Sequence, residues 1–100
     1  MRQPSPGFLT VRETDTFKAA VARLPKAKRD QVEARVALLI QDRAHPSLKA
    51  HSVKPDKHYW EAYVNRGDRI IYNPDGSRLI LVDVVTHDDI GRYSKRPRQR

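Results

Sequence analysis

The sequence predicts an α+β fold: a small antiparallel meander sheet in the order β-α-α-β-β-β, with an N-terminal helical hairpin packed on one face. Three features point to it. Residues 59–85 form β-prone runs broken by turn signals. Residues 16–40 carry apolar side chains at helical spacing, interrupted once by proline. A short β-branched run precedes them. A block of helices followed by a block of strands suits an α+β domain better than alternating units. The chain has 100 residues. That predicts one domain over 1–93, able to bury roughly two thirds of its unfolded surface.

Residues 1–6 hold two prolines and little to bury, so a loose lead-in is expected. Phe8 to Arg12 is the first strand, with β-branched Thr10 and Val11. Thr14, Asp15 and Thr16 offer side-chain oxygens to the free N–H groups of a helix start. That helix runs from Thr16 to Leu24, where Phe17, Ala20, Val21 and Leu24 share a face. Pro25 fits a first turn but not a helix interior, so a second helix begins there. Its apolar face is Val32, Val36, Leu39 and Ile40. His45-Pro46 ends it, because the residue before proline avoids the helical region.

Residues 45–58 are an irregular connector, anchored by Leu48 and Val53 and made basic by Lys49, His51, Lys54, Lys57 and His58. The meander follows. Trp60, Ala62 and Val64 alternate with Glu61 and Tyr63, and should turn toward the helices. Asn65 to Asp68 is a turn, and Arg69 to Tyr72 the second strand. Asn73-Pro74-Asp75-Gly76 carries the residues of a second turn. Leu79 to Val85 is apolar on both faces except at Asp83, which suits a strand covered on both sides. The last stretch, 94–100, is basic with nothing to bury, and a disordered tail is expected.

The formal charge is +8, from 20 Lys and Arg against 12 Asp and Glu. Such a balance favours a polyanionic partner, whether RNA, DNA or an acidic protein segment, without choosing among them. The absence of cysteine excludes disulfides and thiolate metal sites. Histidines 45, 51, 58 and 87 match no common zinc spacing, so neither metal nor cofactor is expected. No apolar run approaches a membrane span, and the N-terminus lacks an apolar signal core. A soluble cytoplasmic protein without a membrane partner is the expectation.

Several segments taken in order resemble one family. They are His45-Pro46-Ser47-Leu48 at a helix end, Trp60-Glu61-Ala62 leading to Val64-Asn65-Arg66, the strand Asp68-Arg69-Ile70-Ile71-Tyr72, and Thr86-His87-Asp88-Asp89 after an apolar strand. Over about residues 8–93 this set resembles the RelE/ParE superfamily of bacterial type II toxin–antitoxin modules, and the RelE-like and YafQ-like members most. The resemblance implies an mRNA endoribonuclease (an mRNA interferase) acting in the ribosomal A site, inhibiting translation, and held by a cognate antitoxin. It implies that Arg69 contacts the scissile phosphate, that His87 is catalytic, and that Tyr93 activates or stacks on the nucleotide. Two lysines that RelE carries on the first meander strand are here Glu61 and Tyr63, and Gly91 stands where many relatives have an aromatic residue. A ParE-like gyrase poison, or a degenerate relative that only binds antitoxin or nucleic acid, are therefore the alternatives.

The chemistry can be weighed without the family. Metal-independent RNA cleavage needs a base for the 2′-hydroxyl, an acid for the departing 5′-oxygen and positive charge for the phosphate. Histidine serves either proton role, with a reference pKa of about 6.5. Arginine gives planar, permanently charged donors to phosphate. Arg69 with His87 is the minimal pair, and His58 or His51 could supply a second proton carrier. Lys49, His51, Lys54, Lys57 and His58 would draw RNA, and Tyr63 or Tyr93 would stack on a base. Asp88 or Asp89 could orient an imidazole, and Glu61 could act as a base. Each residue also has a plainer account. Arg69 could pair with Asp83 across adjacent strands, His87 could cap the strand end, Asp88 and Asp89 could cap a short C-terminal turn, and Tyr93 could pack the tail on the sheet.

Overall fold

In the computed structural model five strands form one mixed sheet in the order β1-β5-β4-β3-β2. The structure describes residues 6–53 and 58–94. Residues 1–5 of the expected lead-in, and the expected tail from residue 95, lie outside the described residues, as do Lys54 and Lys57. The strands are β1 (Thr10–Glu13), β2 (His51–Ser52), β3 (Trp60–Tyr63), β4 (Asp68–Asp75) and β5 (Arg78–Thr86). The helices are α1 (Asp15–Ala22), α2 (Lys26–Gln41) and the short α3 (Gly91–Ser94), with 3₁₀ turns at Pro46–Leu48 and His87–Asp89. The α+β class and the β-α-α-β-β-β plan hold, with two differences. The connector contributes β2, paired antiparallel to β3, and β1 lies parallel to β5.

β1 starts two residues later than its β-propensity suggests. Phe8 is a core residue, 5% exposed, with its N–H donated to the Ile40 carbonyl at 2.9 Å. This brings the chain against the end of α2, and Gly7 makes the approach possible. A Cβ at Gly7 would fall 1.9 Å from the Ile40 carbonyl oxygen, a backbone atom with little room to move. Gly7→Ala is therefore expected to lower stability by about 1–3 kcal/mol, as overpacking does. Thermal unfolding checks it: a drop of roughly 4–8 °C per kcal/mol is expected for a chain this size, and an unchanged Tm would mean that the segment shifts freely.

Thr14 is the N-cap of α1, accepting from the Phe17 N–H at 3.1 Å. Its hydroxyl also lies 2.9 and 3.0 Å from the carbonyls of Leu81 and Val82. Those carbonyls mark a bulge, where Ile71 pairs with Asp83 but Tyr72 pairs with Leu81, leaving Val82 without a partner. The bulge matters because strand alternation has a period of two. Leu79 and Leu81 join the helix-side core, while Asp83 and Val85 turn to the opposite face. Without the extra residue the Asp83 carboxylate would enter the main core.

That core gathers Phe17 of α1, Val32 and Leu39 of α2, Leu48 of the connector and Ala62, Ile70, Tyr72, Leu79 and Leu81 of the sheet. The predicted faces of both helices and of β3 are the ones buried. The Asn73-Pro74-Asp75-Gly76 turn falls later than predicted: β4 continues to Asp75, and the reversal is at Gly76, with φ +60°, and Ser77. Pro74 is tolerated because β3 ends its pairing at Trp60 opposite Tyr72, so no strand on that side loses a donor. On the other face a smaller cluster, Val53, Ile71 and Val85 with Tyr59, Val82, Ile90 and Tyr93, lies beneath the C-terminal turn. The part of that face around Glu61, Tyr63 and Arg69 is polar.

Candidate active site on the open face of the sheet

Register builds the site. Tyr63 lies directly opposite Arg69, and His51 opposite Glu61. Cross-strand neighbours are close enough for their side chains to meet. The Glu61 carboxylate lies between two partners, His51 Nε2 at 2.9 Å and Arg69 Nε at 3.6 Å. The Glu61 and Arg69 side chains are only 14% and 16% exposed, so this pair is sheltered from much of the screening that weakens surface ion pairs. Arg69 Nη1 also donates to the carbonyls of Asn65 at 2.8 Å and Asp68 at 2.9 Å, with the Arg66 carbonyl at 3.3 Å. The guanidinium is thus held by a turn, and the turn is held by Asn65. Asn65 accepts from the Gly67 and Asp68 N–H groups and donates to Asp68 and to Gln31 of α2.

The expected pairing of Arg69 with Asp83 does not occur. Asp83 pairs with Ile71, two residues along β4, and its carboxylate accepts from the Tyr93 hydroxyl at 2.6 Å and from the Val84 N–H at 2.8 Å. Glu61 and Asp83 flank Ile71 from β3 and β5 at equivalent register, and the two acids take different partners: Glu61 faces Arg69 and His51, and Asp83 is held by Tyr93 and the Val84 N–H.

Tyr63 collects cations. Arg69 and Lys49 each lie 4.8 Å from its ring centroid, and Arg35 of α2 lies at 6.0 Å, all within cation–π range. Lys49 reaches it through left-handed backbone, φ 48°, at the end of the Pro46–Leu48 turn. Lysine rarely adopts this conformation. Arg35 is the residue that sequence reading missed. It is fixed by donating to Ser47 Oγ at 2.9 Å, a partner twelve residues away, and nothing local to Arg35 signals this. His51 Nδ1 lies 2.8 Å from the Lys49 carbonyl, so both nitrogens of its ring face oxygen acceptors.

The other expected residues divide. His87 is exposed at the end of β5, and its N–H donates to the Gly67 carbonyl at 2.8 Å, tying it to the turn that holds Arg69. Asp88 and Asp89 are exposed in the following turn, whose N-cap is Thr86: Thr86 Oγ1 accepts from the Asp89 N–H at 3.3 Å. His58 is not brought to the site. Its Nε2 lies 3.0 Å from Asn73 Nδ2, and Asn73 is four residues, or about 13 Å of strand, from Arg69. Lys54 and Lys57 lie outside the described residues.

Tyr93 stands edge-on to Tyr59, with ring centroids 5.2 Å apart, and donates to buried Asp83. This is the geometry of a post that fixes the C-terminal turn to β5. Tyr93→Phe removes one of the carboxylate's donors and is expected to cost about 1–3 kcal/mol of stability. Urea unfolding beside a cleavage assay checks it. Lost cleavage at unchanged stability would give Tyr93 the part in the reaction that the resemblance implies. Among the described residues no three His, Asp or Glu side chains are grouped to hold a metal ion, and no helix is long and apolar enough to cross a membrane.

Comparison with known proteins places this arrangement in context. No family model and no curated protein matches the chain. Solved structures do. YafQ from E. coli strain BL21(DE3) superposes with a TM-score of 0.67 at 19% identity, over 86% of this chain and 96% of that one. The chain has the RelE-like toxin fold. The RelB–RelE antitoxin–toxin complex from Methanococcus jannaschii matches with a TM-score of 0.65 at 15% identity, over 82% of this chain and 96% of that one. A YoeB/ParE toxin from Agrobacterium tumefaciens gives 0.61 at 16%, over 79% and 99%. At these identities the likeness is one of fold.

Proposed function

We propose that the chain is the toxin of a toxin–antitoxin module and cleaves mRNA in the ribosomal A site by side-chain acid–base chemistry. One observation carries the reading: the Glu61 carboxylate lies between His51 and Arg69 on the open face of the sheet, at 2.9 and 3.6 Å. Glu61 takes the proton of the 2′-hydroxyl, with His51 orienting the carboxylate. The 2′-oxygen attacks phosphorus, a 2′,3′-cyclic phosphate forms, and the bond from phosphorus to the 5′-oxygen breaks. Arg69 offsets the negative charge that builds on the phosphate oxygens. His87 protonates the departing 5′-oxygen.

Strand order supports these roles. Glu61 on β3 and His87 after β5 flank Arg69 on β4. Base and acid therefore lie on opposite sides of the phosphate-binding residue, with strands about 4.8 Å apart. Tyr63 offers a ring for a base beside the phosphate, and Lys49 and Arg35 add positive charge around it. The toxins with this fold support the biological role, and RelB–RelE and DinJ–YafQ are complexes with an antitoxin. An acidic, partly disordered antitoxin segment suits a chain of charge +8.

The test is regulated expression of the wild type beside Arg69→Ala and His87→Ala, with growth and mRNA 5′ ends followed together. Arrest with new 5′ ends in the A-site codon, lost in both variants, is the expected result. Arrest without new ends would point to a protein target, and no arrest from well-expressed soluble protein would overturn the toxin reading.

A further inference from the structure

A cavity lies on the helix side of the sheet, linked to the open-face site through Lys49, and none of the roles above uses it. It opens at the C-terminal end of α2, with a volume of about 380 Å³, and is walled by the rings of Phe8, Trp60 and Tyr72 with Arg43, His45 and Lys49 among its polar lining. That volume is within the range of small-molecule sites, which span about 300–1,000 Å³. Aromatic walls and a cationic lining together suit a planar ring that carries an anionic group.

Three details narrow the ligand. Tyr72 is 2% exposed, and no described residue hydrogen-bonds its hydroxyl. Every fully enclosed side-chain oxygen or nitrogen among the described residues has a partner, so this hydroxyl opens into the cavity it lines. Burial also pushes the phenol well above its usual pKa, against a smaller downward pull from Arg43, so it remains a donor. Arg43 is stacked 3.7 Å above the Phe8 ring and donates to the Pro6, Gly7 and Gly76 carbonyls. Those acceptors are neutral, so its positive charge stays uncompensated by them. Lys49 lines the cavity while its ammonium stands over Tyr63, so this residue links the cavity to the Glu61–Arg69 site.

We propose that this cavity receives the base of a ribonucleotide next to the scissile phosphate, with the Tyr72 hydroxyl on the base edge and Lys49 on the intervening phosphate. The nucleotide's identity as part of an RNA substrate rests on the endoribonuclease reading, and the cavity's chemistry does not. Such a subsite would set base preference beside the cleavage position, because a buried hydroxyl favours bases with a matching edge.

Trp60 is the only tryptophan of the chain, so its fluorescence reports on the cavity wall. The probes are the four nucleoside monophosphates and a 2′-O-methyl ribotrinucleotide, which has no 2′-hydroxyl to attack. Saturable Trp60 quenching by the trinucleotide and by at least one monophosphate is expected. Tyr72→Phe, which removes only the hydroxyl, should weaken binding roughly 3- to 10-fold. Ala50→Leu, which fills the cavity, should abolish it, with the circular dichroism of both variants unchanged. No saturable quenching, or unaltered affinity in the well-folded Tyr72→Phe protein, overturns the proposal. RNA cleavage without Trp60 quenching would sink the cavity and leave the nuclease. Quenching without cleavage would sink the nuclease and leave the cavity.

Discussion

Arg69→Ala is expected to lower RNA cleavage by about 10²- to 10³-fold, the usual loss when a preorganised donor to transition-state charge is removed. The arginine meets the demands of that role before substrate arrives. Its Nη1 is fixed by the carbonyls of Asn65 and Asp68 and its Nε faces Glu61, so little reorganisation remains. The same anchoring predicts a second effect. Truncation leaves those carbonyls and a mostly buried Glu61 without the donor, at about 1–3 kcal/mol. The two effects separate in Arg69→Lys. A lysine keeps the charge but cannot engage the turn, Glu61 and a phosphate with one flat fork of donors. Partial stability with cleavage still well below wild type is the expected outcome, measured by urea unfolding and by initial rates on ribosome-bound mRNA. Full cleavage in Arg69→Lys would reduce the guanidinium's role to charge alone.

The sequence exposed the elements whose signals are local. Helical spacing of Val32, Val36, Leu39 and Ile40 and alternation of Trp60, Ala62 and Val64 follow from the burial of one face, and both faces are buried as predicted. Arg69 is singled out by the resemblance to the RelE/ParE superfamily and by the fit of a guanidinium to phosphate, not by any periodicity. What stayed hidden depends on register. The bulge at Val82 has no local marker, since Leu79 to Val85 is apolar with one exception, yet it decides which face Asp83 occupies. Pairing Arg69 with Asp83 was reasonable for neighbouring strands but skipped Glu61, whose contact requires β3 and β4 to be aligned as well. β2 is two residues long and gains its identity only from pairing with β3. Arg35 reaches Tyr63 only because the Pro46–Leu48 turn offers Ser47 to it. Local chemistry thus names residues, and long-range pairing decides which of them meet.

Glu61→Gln gives the sharpest outcome, because the two roles open to Glu61 predict opposite signs. If the carboxylate is the base, the isosteric amide cannot take the 2′-hydroxyl proton, and kcat should fall by about 10²- to 10⁴-fold. If it only occupies Arg69, neutralising it frees the guanidinium for phosphate and cleavage should rise. Both roles share one consequence, a tighter grip on RNA, since Arg69 and His51 lose the anion now 3.6 and 2.9 Å away. The expected result is therefore a split: KM lower than wild type and kcat far lower still. The ratio of the two effects measures what the carboxylate contributes beyond holding its neighbours. Single-turnover cleavage across a concentration series of RNA separates the terms, and a kcat equal to or above wild type would remove Glu61 from the proton transfer.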